Sequence, residues 1–342
     1  MNDISPQERL LRVFNKQSVD RPPVICPGGM MNAAIVDIMN KTGHTLPLAH
    51  SDDHLMAELA HDVNVNTGFE NIGIPFCMTV EAEVLGSEID YGTLACEPKI
   101  VREGYSSVKN VVFKDNDQLL QDGRIATVVQ AGYRLVHQYP DLPVIGNLTG
   151  PISTTASIVD PMTFLKELRK DPQNAHYVLN YVSDFLSQYA RLMIDNGVNV
   201  FSIGDPTATG EILGPKVFAE YAVPYLNKVI DSIHDSGGQV IVHICGEMKS
   251  VRHLIPNLRG DAISTDAMVN LRSLKNDYPE LTVMGNLSTY LLETGTVDRV
   301  VEQTARLVHE GIDIISPACG LSTSTSLEKI QSMTNTVKST AS

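Results

Sequence analysis

Two segments of the chain carry side chains of the types that bind metal ions in proteins. His243 and Cys245 form an H-x-C pair at the end of the apolar run 238–245, and Cys319 follows a second run, 312–317. Residues two apart on a strand point to the same face, so one imidazole and one thiolate can reach a single ion. Sulfur ligands favour zinc over magnesium or calcium, and three protein ligands leave a fourth tetrahedral position open, as in catalytic zinc sites. We therefore predict a zinc site of His243, Cys245 and Cys319.

A fourth candidate ligand is Asp266, which ends the run 261–266. Its carboxylate could fill the open position until a substrate thiol displaces it. Zinc binds a thiol as the thiolate and lowers its pKa, which makes the sulfur a nucleophile at neutral pH. Such a thiolate could attack an electrophilic methyl group in line.

These residues need a scaffold that brings separate segments to one place. Short apolar runs rich in β-branched residues alternate with helical patterns, of which the clearest span 174–196, 215–234 and 297–309. Runs of this kind are typical of parallel strands buried on both faces. The runs are 22–26, 142–147, 198–205, 238–245, 261–266, 281–286 and 312–317.

This alternation predicts an α/β fold of the (β/α)8 TIM-barrel type, with an N-terminal helical extension. We expect residues 1–342 to form a single barrel domain. Residues 80–115 have strand propensity interrupted by Gly and Pro, so we expect a β-hairpin insertion near the barrel mouth. Pro224 lies inside the helical pattern 215–234 and should kink or split that helix.

Active sites of such barrels lie at the carboxyl ends of the strands. Besides the candidate metal ligands, Asn147, Asp205 and Asn286 stand at predicted strand ends, and we expect them to bind substrate. An alternative is that they cap the helices that follow. The Met-rich segment 28–32 is interpreted as core.

The charge and cysteine content of the chain indicate which classes of partner and which compartment to expect. The 342 residues carry a net charge of −14, which argues against nucleic acid or an anionic membrane surface as a partner. No apolar stretch is long enough to span a membrane. Five cysteines are too few and too scattered for a disulfide framework, so we expect a reduced, cytoplasmic protein. We expect Cys26, Cys77 and Cys96 to be buried as small apolar side chains.

Several motifs together resemble the uroporphyrinogen decarboxylase superfamily, and within it the methylcobalamin:coenzyme M methyltransferases. The resemblance covers nearly the whole chain. The HICG and ACG segments are its most specific parts. The motifs are ERLLRVFNKQSVDRPPV (8–24), IPFCMTVEAEVLGSEIDYGT (74–93), NLTGP (147–151), GDPTATGEILGP (204–215), HICG (243–246), MGNLS (284–288) and PACGLSTSTSLE (317–328).

The resemblance implies that His243, Cys245 and Cys319 hold zinc. Asp266 stands where the coenzyme M enzymes offer a Glu, and it is one methylene shorter. Glu81, within the segment 74–93, is expected to contribute to substrate binding. The implied reaction moves a methyl group from methylcobalamin, carried by a partner corrinoid protein, to a small thiol such as coenzyme M.

Two alternatives stay open at this point. One is a metal-free decarboxylase of the same fold, acting on a polycarboxylate. The resemblance implies that such an enzyme needs an Arg-rich stretch after its first strand, and here no Arg or Lys lies between Arg21 and Lys41. The other is a non-catalytic subunit that binds a corrinoid protein and carries a structural zinc.

Overall fold

A computed structural model describes residues 4–340 of the chain. At its centre lies a parallel seven-stranded sheet in the order β1-β4-β5-β6-β7-β8-β9, and β2 and β3 form a separate antiparallel pair. The strands are β1 Ile72–Ile74, β2 Glu88–Asp90, β3 Lys99–Arg102, β4 Val144–Thr149, β5 Val200–Gly204, β6 Gln239–Ile244, β7 Ala262–Thr265, β8 Val283–Leu287 and β9 Ile314–Pro317.

The segment around Val24 closes this sheet into a barrel. Val24 forms a parallel bridge with Ile315 of β9, and its carbonyl accepts a hydrogen bond of 2.8 Å from the backbone N–H of Glu70, just before β1. The predicted run 22–26 therefore occupies the eighth barrel position, although it pairs too briefly to count as a full strand. The predicted TIM-type barrel is confirmed.

Helices cover the outside of the sheet. Every residue of β4 is buried, as expected for a strand with packing on both faces. The helices are α1 Pro6–Phe14, α2 Val36–Thr42, α3 Asp53–Thr67, α4 Val80–Val84, α5 Asn116–Leu119, α6 Gly123–Gln138, α7 Pro151–Ile158, α8 Pro161–Lys170, α9 Pro172–Asp195, α10 Gly210–Val217, α11 Val223–Asp235, α12 Leu271–Asp277, α13 Thr289–Thr294, α14 Val297–His309 and α15 Leu327–Lys338. None of these helices is long and apolar enough to cross a membrane.

The predicted helix 215–234 is divided in the way that Pro224 requires. A π-helical turn, Phe218–Ala222, separates α10 from α11, and Pro224 lies in the first turn of α11. Proline has no N–H to donate to the preceding turn, so the backbone widens there. A separate helical turn precedes this helix: α10 begins at Gly210, where Thr209 caps it, but the backbone of Gly214 is non-helical, with φ +68° and ψ 168°. The helix that continues toward α11 therefore starts after Gly214, as predicted from Pro215.

The predicted hairpin insertion is present but shorter than expected. Helix α4 occupies the start of the segment 80–115, and the β2–β3 pair follows it. The connection between the two strands contacts loops of the barrel. Ala95 accepts a hydrogen bond of 2.8 Å from Thr323, and Glu97 accepts one of 3.2 Å from Asn32.

Candidate metal centre

Two strands position the three predicted ligands. His243 is the next-to-last residue of β6, Cys245 follows that strand directly, and Cys319 lies two residues beyond the end of β9. These strands are three places apart in the sheet order, so strand pairing does not bring them together. The curvature of the barrel does, because all carboxyl ends face one mouth.

The donor atoms of the three side chains lie in contact with one another. His243 Nε2 lies 3.1 Å from Cys245 Sγ, and Cys245 Sγ lies 3.4 Å from Cys319 Sγ. All three donor atoms lie within 4.8 Å of one another. In residues 4–340 no other group of three His, Cys, Asp or Glu side chains is arranged in this way.

A hydrogen bond fixes the orientation of the imidazole. His243 is 1% exposed, and its Nδ1 lies 2.9 Å from the hydroxyl oxygen of Ser264 on the neighbouring strand β7. With Nδ1–H donated to Ser264, the lone pair of Nε2 faces the two sulfurs. Second partners of this kind set the tautomer of metal-binding histidines.

The two cysteines shift each other's thiol pKa in opposite directions. The hydrogen bond from Cys245 lowers the pKa of the Cys319 thiol, and His243 lowers it further. The same contact with Cys319, together with burial, raises the pKa of Cys245. Cys319 is therefore the thiol that ionises first, and a second negative charge at Cys245 needs a cation beside it.

Zinc fits this donor set. Tetrahedral bonds of about 2.3 Å to sulfur and about 2.0 Å to nitrogen put neighbouring donors roughly 3.5–3.8 Å apart. The distances of 3.1 and 3.4 Å in the protein are within about half an ångström of that requirement. The site has the composition of a zinc centre with one coordination position left for another ligand.

Met30 is a member of this cluster that the sequence did not reveal. Its Sδ lies 3.5 Å from Cys245 Sγ and 3.8 Å from Cys319 Sγ. The neighbouring Met31 is 2% exposed, as expected for core, and Met30 is half-buried and packs against the core while its sulfur contacts the two cysteines. Two glycines precede Met30 in the sequence, which was the available signal that this loop approaches something closely.

Asp266 lies near the cluster but outside it. Its carboxylate is not among the donor atoms that lie within 4.8 Å of one another, and its Oδ1 accepts a hydrogen bond of 3.1 Å from the backbone N–H of Met268. Its charge is still close enough to raise the pKa of Cys245. That Asp266 is a ligand stays a prediction.

Asp205 caps a helix other than the one that follows it. It is fully buried and accepts hydrogen bonds from the backbone N–H groups of Ile152 and Ser153 and from the Ser153 hydroxyl, at the start of α7. Burial raises the pKa of this carboxyl to about 6, against the opposing effect of the hydrogen bonds. Asp205 thus fixes α7 beside the barrel mouth.

The two strand-end asparagines hold loops in place. The side-chain amide of Asn147 donates to the carbonyl oxygen of Pro27 at 2.7 Å, and that of Asn286 donates to the carbonyl oxygens of Asp266 and Val269, each at 2.7 Å. Asn147 lines a small cavity beside the metal centre, whereas Asn286 lines a different cavity at the rim.

Glu81 lies behind the cavity wall. It is 2% exposed, and its two carboxylate oxygens accept hydrogen bonds from the backbone N–H and the hydroxyl of Thr149, at 2.8 and 3.0 Å. Burial raises the pKa of Glu81. Thr149 lines the cavity itself, so Glu81 supports this wall from behind.

The remaining cysteines behave as expected with one exception. Cys26 and Cys77 are buried, at 4% and 5% exposure. The expectation was wrong for Cys96, which is exposed. It lies in the turn between β2 and β3, where its N–H donates to the Thr93 carbonyl.

Comparison with known proteins places the chain in a family. The family model described as uroporphyrinogen decarboxylase (URO-D) matches residues 5–340. The chain is 31% identical to the methylcobamide:CoM methyltransferase MtbA of Methanosarcina acetivorans, over 99% of both chains. It is 26% identical to the methylcobamide:CoM methyltransferase MtaA of Methanosarcina barkeri, over 97% of both. A solved methyltransferase from Methanosarcina mazei superposes with a TM-score of 0.91 at 26% identity, covering 98% of this chain and 99% of that one.

Proposed function

This chain belongs to the uroporphyrinogen decarboxylase family, and we propose that it is a zinc-dependent, corrinoid-dependent methyltransferase within it. The methyl group comes from a methylated corrinoid on a partner protein, and the acceptor is a small thiol such as coenzyme M. The carbon–cobalt bond breaks as the carbon–sulfur bond forms, and the electron pair of the broken bond stays on cobalt.

The observation that carries this proposal is the cluster of His243, Cys245 and Cys319 at the mouth of a barrel. The cluster stands in a chain whose full-length relatives are named as methylcobamide:CoM methyltransferases. When bound, zinc supplies a cationic centre that lowers the pKa of an incoming thiol to give the thiolate at neutral pH. Two cysteine thiolates and a neutral histidine balance its charge.

Residues of the chain prepare the site for this chemistry. Ser264 holds the ring of His243 with Nε2 directed at the sulfurs. The adjoining cavity is lined mainly by backbone and apolar or small polar groups, including Gly28, Met78 and Ser202. Among the described residues no charged side chain lines this cavity, so the groups beside the reacting sulfur are only weakly hydrated.

The same cavity disfavours decarboxylation of a polycarboxylate. The loop after the first barrel segment contributes Gly28, Gly29, Met30 and Met31 to the wall. None of these side chains can pair with a carboxylate, and a substrate with many carboxylates needs cations at that position. Cys245 and Cys319 lie close enough for oxidation to join them, and zinc would need both as thiolates, so we also propose that the protein works in a reducing compartment, the cytoplasm.

Elemental analysis combined with methyl transfer tests this function. We expect one zinc per wild-type chain and transfer from methylcobalamin to coenzyme M. In His243→Ala, Cys245→Ser and Cys319→Ser we expect both zinc and transfer to be lost, since each change removes a donor of the cluster. The matched control is Cys96→Ser, which changes a cysteine on the exposed hairpin turn and should retain both.

A metal-free Cys245→Ser, Cys319→Ser double variant that still transfers methyl groups would contradict the proposal. A wild-type protein that is folded, loaded with zinc and inactive with every thiol would instead favour the non-catalytic subunit that binds a corrinoid protein.

A further inference from the structure

Met30 brings a third sulfur atom to the metal centre. Its thioether contacts both cysteines, at 3.5 Å from Cys245 Sγ and 3.8 Å from Cys319 Sγ, and its side chain lines the same cavity as His243. In a tetrahedral zinc site the edge between two sulfur donors is about 3.8 Å. Met30 Sδ therefore stands at donor distance from two of the three ligands.

The backbone around Met30 is built for this close approach. Gly28 and Gly29 have φ values of +111° and +56°, which L side chains rarely adopt. On the other side, a Cβ at Gly320 would lie 2.7 Å from the carbonyl oxygen of Met30. Glycine at 320 thus lets the loop of Cys319 lie directly against the loop of Met30.

From this arrangement we infer that the Met30 thioether holds the fourth metal position at rest and that the acceptor thiol displaces it. The inference rests on the proposed zinc-dependent function. The acceptor thiol gives its proton to solvent as its sulfur binds, and the thioether leaves unchanged as a neutral group. No bond within Met30 forms or breaks in this exchange.

The chemistry of a thioether suits a position that must be vacated. It is a soft but uncharged donor, so it is compatible with zinc and is readily replaced by a thiolate. The side chain is unbranched and flexible, which allows it to leave this position by a change of rotamer. Its CH2–S–CH3 group is also the group that methylation of the acceptor produces, so its position marks where the methylated sulfur fits.

The geometry favours Met30 over Asp266 in this role. Asp266 Oδ1 is engaged by the N–H of Met268, and its carboxylate lies outside the donor cluster. Two cysteine thiolates already balance a divalent cation. A third anionic ligand at rest would oppose the entry of an anionic acceptor more than a neutral thioether does.

Zinc K-edge X-ray absorption of the loaded protein without thiol tests the inference. We expect three sulfur donors in the wild type, from Cys245, Cys319 and Met30, and the loss of one in Met30→Leu, which keeps the size of the side chain. After addition of coenzyme M, both proteins should show three sulfur donors. Asp266→Asn is the matched control and should leave the wild-type sulfur count unchanged.

A wild-type spectrum with only two sulfur donors and an oxygen in the fourth position would overturn the inference, whatever the variants do. That result would leave the proposed function intact, because zinc is still bound and the acceptor can still enter. Failure of the wild type to retain zinc at all would instead contradict the proposed function.

Discussion

The hydrogen bond between Ser264 and His243 should control metal affinity through the orientation of one ring. Ser264 is fully buried and lies 2.9 Å from Nδ1 of His243, which is 1% exposed. Ser264→Ala leaves the buried Nδ1–H without a partner, and such a loss costs about 1–3 kcal/mol. Removing a second partner of a metal-binding histidine usually weakens metal affinity about 10–100-fold, or roughly 1.4–2.7 kcal/mol. We expect zinc affinity to fall within that range.

The assay is a competition for zinc between the protein and a chromophoric chelator at fixed pH. Urea unfolding of the metal-free proteins should accompany it, so that a general loss of stability is not mistaken for a loss of affinity. The matched control is Ser316→Ala. Ser316 is equally buried, on β9, but its hydroxyl donates to the Pro317 carbonyl and not to a metal ligand.

An unchanged zinc affinity in Ser264→Ala would refute the reasoning, because the ring would then need no second partner. An equal loss of affinity in Ser316→Ala would refute it as well, since the effect would then come from disturbing the strands in general.

Two further predictions concern the scaffold. A Cβ at Gly73 would lie 1.7 Å from the carbonyl oxygen of Pro27, so Gly73→Ala should lower the free energy of unfolding by about 3 kcal/mol through overpacking. Gly123→Ala is the control and should leave the stability unchanged, because no atom lies within 4 Å of the added Cβ. Equal urea midpoints for the two variants would contradict this prediction. The hydrogen bond that His234 donates to the Asp261 carboxylate raises the pKa of His234. The stability that this pair contributes is therefore fully present below the unfolded pKa near 6.5 and is lost as pH rises through the folded pKa. The difference in free energy of unfolding between wild type and His234→Gln should be larger at pH ~6 than at pH ~9, by up to about 1 kcal/mol. A larger difference at the higher pH would be inconsistent with this account.

The barrel was predictable because its strands are short, mostly apolar and buried along their length, as in β4, and because helical periodicity separates them. Strand β1 was missed because it has only three residues, one of them Gly73, and carries no periodic signal. Closure through Val24 depends on hydrogen bonds to two segments distant in sequence, which local propensity does not encode.

The metal ligands were predictable for a different reason. An H-x-C pair at a strand end has a fixed geometry, because alternate residues share a face. Met30 was not predictable, because its position depends on the path of a glycine-rich loop and not on a regular element. The roles of Asn147 and Asn286 as supports for loops likewise follow from which carbonyl groups lie near them in the folded chain.

The central claim is methyl transfer from a corrinoid to a thiol at the centre of His243, Cys245 and Cys319. Its most direct test is to incubate the zinc-loaded protein with methylcobalamin and coenzyme M, following cobalamin by absorbance and methylated coenzyme M by mass spectrometry. The account predicts that methylated thiol and demethylated cobalamin form in equal amounts, and that neither forms with Cys319→Ser. Equal rates in the wild type and Cys319→Ser, or no methylated thiol from folded, zinc-loaded wild type with methylcobalamin either free or on its carrier protein, would contradict it.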